Sequence, residues 1–91
     1  MPVLKLNDDI LYYGFWTQKS IDLDHIKSIT YMSYRAAYFQ IETENSYTYL
    51  YNLIYGTLQL EDVIRSVAKQ QQLIVLQQYY THHTTWFNPY K

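Results

Sequence analysis

The sequence predicts a small α+β domain: a twisted antiparallel sheet of about five strands, with one main amphipathic helix near residues 58–70. Three observations predict it. The chain has 91 residues, the size of a single domain spanning 1–91. On both sides of Glu44-Asn45-Ser46, apolar or aromatic residues alternate with polar ones, as in a hairpin. Leu60, Val63, Ile64, Val67 and Ala68 then recur at i, i+3, i+4 spacing, the stripe of a helix that buries one face.

Ile10 to Thr17 (ILYYGFWT) is bulky and aromatic and reads as a strand, with Gly14 marking a bulge or a close backbone approach. Gln18-Lys19-Ser20 is a turn. Ile21 and Leu23 alternate with Asp22 and Asp24, and the three-residue step from Ile26 to Ile29 implies a bend around Asp24 to Ile26. Lys27 to Tyr34 is the next strand, and Ser33 to Ala36 leads onward. In the hairpin, Ala37, Phe39 and Ile41 alternate with Tyr38, Gln40 and Glu42. Tyr47, Tyr49, Tyr51, Leu53 and Tyr55 alternate with Ser46, Thr48, Leu50 and Asn52. Gly56 stops that pattern and Thr57 is a candidate N-cap. Glu61 and Asp62 suit the positive end of the following helix.

After Gln70-Gln71-Gln72, the run Leu73-Ile74-Val75-Leu76 fits a strand or more helix. Its β-branched pair and the Tyr79-Tyr80 that follows favour a strand. The segment 81–91 has no period, yet Trp86, Phe87 and Tyr90 are too apolar for a free tail, so it should dock. The core should include Ile21, Leu23, Ile26, Ile29, Phe39, Ile41, Leu60, Ile64 and Val67.

Composition excludes several functions. With no Cys, the chain has no disulfide, thiolate metal site or thiol nucleophile. Two glycines cannot build a phosphate-cradling loop, and no serine lies in a G-x-S-x-G context. Apolar runs fall far short of the ~20 residues that span a bilayer. The start MPVLKLNDD lacks the basic and apolar regions of a signal peptide, so a cytoplasmic protein is expected. Only 16% of residues are charged, against about 25% in an ordinary domain, and the formal net charge is −1. Aromatics make up 19%, including 12 Tyr, too many for one small core. Some must reach the surface, where clustered aromatics mark contact sites.

His82 and His83 point to opposite faces of an extended segment, so a zinc site would need a third ligand such as His25, Asp22 or Asp24. Asp22-x-Asp24 beside His25 could do acid–base work only if burial raised one pKa; otherwise it is a solvated strand face or a cap. The tyrosines at 47, 49 and 51 could stack bases, but single-strand binders also need a basic groove. The 7 Lys and Arg against 8 acids argue against nucleic acid. A protein contact suits the same face better, because Tyr offers much contact area at low entropy cost.

The run IDLDHIKSITYM, then YFQIETENSYTYLYNL, then LEDVIRSVAK, resembles the small bacterial pleckstrin-homology-like domains over roughly residues 10 to 69. Similar patterning occurs in LytTR-type DNA-binding domains, which carry more basic loops. The pleckstrin-homology-like resemblance implies a curled antiparallel sheet closed by a helix, and a binding module without catalytic residues.

The expectation is therefore a non-catalytic interaction module, homo-oligomeric, that masks or scaffolds a protein partner. It has no cofactor, metal or membrane span. A phage or mobile-element inhibitor has this profile. The expected anchors are Tyr12, Tyr13, Trp16, Tyr47, Tyr49, Tyr51, Trp86 and Phe87. The alternatives are a small-ligand or nucleotide sponge with an aromatic pocket, a single-stranded nucleic-acid binder, and a metal hydrolase using His25, His82 and His83.

Overall fold

The computed structural model describes residues 1–33, 35–79 and 82–90. Tyr34, expected to end a strand, and Tyr80, Thr81 and Lys91 of the C-terminal segment lie outside the described residues.

The fold is α+β with mostly antiparallel strands, in two sheets rather than one. The chain opens on β1 (Val3–Asn7), which the sequence reading missed, and returns through Asp8-Asp9 into β2 (Ile10–Gly14). Asp8 takes φ +54°, a left-handed conformation that Asp tolerates in turns. β3 (Lys19–Asp22) completes a three-stranded antiparallel meander. The expected bend is a 3-10 turn, Leu23–His25, in which Asp22 accepts from the Asp24 amide as N-cap.

β4 (Ile26–Ser33), β5 (Ala37–Thr43) and β6 (Tyr47–Tyr51) follow as antiparallel neighbours. The alternation that ran on to Tyr55 does not stay extended. The strand stops at Tyr51, and Asn52–Tyr55 forms a helical turn, α1. The main helix, α2 (Thr57–Gln71), begins one residue earlier than expected, and Gly56 rather than Thr57 occupies its N-cap. Gly56 adopts φ +89°, ψ 131°, open mainly to glycine, and no side chain caps the helix.

The resolved strand-or-helix ambiguity gives β7 (Val75–Tyr79), and the aperiodic tail forms β8 (His82–Phe87). The second sheet has the order β6-β5-β4-β7-β8. β7 runs parallel to β4, a departure from the all-antiparallel expectation. The direction of β7 follows from the connection. The chain leaves β6 and must re-enter the sheet beyond β5 and β4, three positions away and in the same sense, so it returns along the sheet's length as a 15-residue helix.

One core unites the two sheets and α2. Leu11, Ile21 and Leu23 come from the N-terminal part, Ile29, Phe39, Ile41, Leu50 and Val75 from the second sheet, and Leu60, Ile64, Val67 and Ala68 from α2. All nine expected core residues are buried; Leu11, Leu50, Ala68 and Val75 join them. Registers assign the faces. Ile29, Ile41, Phe39, Leu50 and Val75 point toward α2. On the other face lie Ser28, Thr30 and Met32 of β4, Tyr38, Gln40 and Glu42 of β5, and Tyr47, Tyr49 and Tyr51 of β6.

Candidate functional site

The feature with functional character is an exposed apolar surface where the open face of β6, α1 and the β2–β3 loop meet. Period-two geometry builds its first part. Thr48 and Leu50 point inward, with Leu50 fully buried, so Tyr47, Tyr49 and Tyr51 must point outward. Tyr38 on β5 lies between the last two, with ring centroids 5.8 Å from Tyr49 and 4.9 Å from Tyr51. These contacts hold the rings as a surface rather than as separate mobile side chains.

The second part comes from the turn that ends β6. By winding the backbone at Asn52, α1 removes Leu53 from the tyrosine row and leaves it 96% exposed; Leu58, in the first turn of α2, is 78% exposed. The third part is the β2–β3 loop. Phe15 and Trp16 pack edge to face at 4.9 Å, and Trp16 is 88% exposed. The Gly14 amide donates to the Tyr55 hydroxyl at 3.0 Å, which ties the loop to α1. Gly14 sits at φ +134°, and a Cβ there would lie 2.0 Å from the Thr17 carbonyl oxygen, so the loop closes this tightly only on glycine. Between loop and strand is an open cleft of about 290 Å³, lined among others by Tyr13, Trp16, Lys19, Tyr49 and Tyr55. Burial raises the Tyr55 hydroxyl above its ordinary pKa of 10.0, an effect the Gly14 hydrogen bond opposes.

The structure thus brings together five of the eight expected anchors: Tyr13, Trp16, Tyr47, Tyr49 and Tyr51. Tyr13 is partly buried, packing against the core while lining the cleft. The other three lie away from this cleft. Tyr12 points to the opposite side of the meander, where Lys5 lies 6.0 Å from its ring centre. Trp86 and Phe87 pack under α2. Trp86 stacks on Tyr31 at 5.3 Å, and the Arg65 guanidinium covers both rings at 5.0 and 4.5 Å. They are apolar because they complete the inner face of the sheet. Phe15, Leu53, Ile54 and Leu58 were not foreseen at the surface. The adjacent apolar pair Leu53-Ile54 just before Gly56 was the available signal, since a strand pairing only one face has no use for both.

The remaining chemistry does not assemble. His25 lies in the 3-10 turn and His82 and His83 on β8, and among the described residues no group of three or more His, Cys, Asp or Glu could hold a metal ion. The paired positions of the open sheet face carry no Lys or Arg; its charge is Glu42, whose carboxylate accepts from the Ser28 hydroxyl. Among the described residues, no helix is long and apolar enough to cross a membrane. Comparison with known proteins finds no family model, no curated protein and no solved structure that matches this chain.

Proposed function

We propose that the chain is a non-catalytic, cytoplasmic protein-interaction module that buries the surface formed by β6, α1 and the β2–β3 loop against a protein partner. One observation carries this reading: Trp16, Leu53 and Leu58 are all more than three-quarters exposed, and the Trp16 loop shares a cleft with Tyr49 of the tyrosine row and Tyr55 of α1. Such apolar exposure is costly in water and is characteristic of contact surfaces. The mechanism is occlusion, with aromatic anchors desolvated on the partner. The resemblance to pleckstrin-homology-like domains points the same way, toward binding. A phage or mobile-element inhibitor would act in this manner.

The test is capture with immobilised wild-type protein and with a Trp16→Ser/Leu53→Ser double variant, followed by affinity measurement on the partner identified. Loss of a true anchor should weaken binding about 30-fold or more, corresponding to about 2 kcal/mol. Equal affinity of the two proteins for the same partner would refute the reading. The ring-lined cleft with Lys19 at its margin supports a second reading, a small-ligand sponge. That one requires a small molecule to co-purify and to raise the melting temperature.

A further inference from the structure

We propose that β6 is a self-association edge, along which two copies of the chain pair β6 to β6, antiparallel, about a two-fold axis at Tyr49. The inference rests on the reading of this surface as an interaction site and names its occupant, a second copy.

The hairpin's hydrogen-bond phase gives the first argument. The Thr43 amide donates to the Ser46 carbonyl at 2.9 Å, which makes Thr43–Ser46 a hydrogen-bonded pair. In an antiparallel ladder such pairs alternate. Ile41–Thr48 and Phe39–Leu50 are therefore hydrogen-bonded, whereas Tyr47, Tyr49 and Tyr51 turn their N–H and C=O groups away from β5. Those groups face the open edge. Tyr51 is the N-cap of α1, so its carbonyl serves the first turn of that helix; among the described residues, no main-chain hydrogen bond from another element reaches the outward groups of Tyr47 and Tyr49.

The four sheet edges, β1, β3, β6 and β8, are guarded differently. An unpaired edge invites aggregation unless it is guarded by charge, proline, a bulge or shortness. β1 carries Lys5 and follows Pro2; β3 is four residues long and carries Lys19 and Asp22. β8 has a register irregularity opposite Val75–Leu76 and two histidines. β6, Tyr-Thr-Tyr-Leu-Tyr, carries none of these devices.

Self-complementarity selects the occupant. A two-fold through Tyr49 sets Tyr49 against Tyr49 of the second copy and Tyr47 against its Tyr51. The two Tyr49 residues then exchange a pair of main-chain hydrogen bonds, and each Tyr51 amide meets the Tyr47 carbonyl of the other copy. The strand has no charge to oppose its own image, and the tyrosine row would continue across the axis as cross-strand ring pairs. In this arrangement two five-stranded sheets become one continuous sheet.

The experiment uses the full chain, which has no native Cys. Native mass spectrometry across a concentration series reads the wild-type stoichiometry. Tyr49→Cys reads the register, because hydrogen-bonded partners lie about 5.5 Å apart at Cα, within disulfide reach. Ser20→Cys, exposed on the edge strand β3, is the control. Tyr49→Lys sets like charges together at the axis. The expected result is a dimer, rapid disulfide cross-linking by Tyr49→Cys but not Ser20→Cys, and a dimer Kd raised about tenfold or more in Tyr49→Lys, with unchanged circular dichroism. A monomer at every concentration without Tyr49→Cys cross-linking overturns the proposal. So does a dimer that ignores both Tyr49 variants, because it mates elsewhere. Neither result touches the broader reading, which fails only if the Trp16→Ser/Leu53→Ser variant binds its partner unchanged.

Discussion

Tyr55 shows how one side chain can hold an exposed loop in place. Its hydroxyl accepts from the Gly14 amide, and that contact spans 41 residues of sequence. Tyr55→Phe leaves the half-buried amide without its acceptor and should cost about 1–2 kcal/mol at neutral pH by chemical denaturation. The pH dependence has a definite sign. Burial raises the folded pKa above 10.0, so the unfolded chain ionises at Tyr55 first. The hydroxyl's contribution is complete below the unfolded pKa and is lost as pH rises through the folded value. The stability gap between wild type and Tyr55→Phe should therefore close above pH 10.0. A gap that widens there would disprove the assignment. Nothing local identified Tyr55 as this anchor; in the sequence it is one more member of an alternating row.

At the scale of elements, α2 was the most legible, because its apolar stripe needs no partner to be recognised. Its end is built by local rules as well. The Gln72 amide donates to the Lys69 carbonyl and the Leu73 amide to the Ala68 carbonyl, a Schellman arrangement with Gln72 left-handed at φ 56°, ψ 43°. Glycine prefers that position. Gln72→Gly should raise stability by about 0.5–1 kcal/mol in equilibrium denaturation, and the Tyr90 hydroxyl can still donate to the carbonyl of residue 72. α1 was illegible for the opposite reason. Four residues cannot show a helical period, and their alternation matched the strand before them.

The whole molecule depends on one core that residues distant in sequence complete together. Trp86 stacks on Tyr31, lies edge-on to Phe39 at 5.3 Å, and sits beneath Arg65. Trp86→Ala should lower stability by about 3 kcal/mol. It should leave dimerisation and partner binding unchanged, whereas Trp16→Ser should weaken partner binding and leave stability unchanged. A melt of the first variant and a binding titration of both separate the two tryptophans' roles. Because β8 and the N-terminal meander contribute to the same packing as α2, near- and far-ultraviolet circular dichroism should report one coincident unfolding transition.

The sequence by itself determined the α+β class, the β5–β6 hairpin, the helix and nine buried core residues, because period and turn chemistry act between near neighbours. It also required that some aromatics be exposed. Tertiary structure alone decided which ones. Trp16 and Trp86 have the same side chain, but one lies on a loop closed at Gly14 and the other on the inner face of β8. Only the fold decided that β7 runs parallel to β4 and that the five-stranded sheet ends at β6, since strand neighbours are set by long-range burial and by the return path of α2. The free edge of β6, and with it the proposed contact, is a property of that strand order.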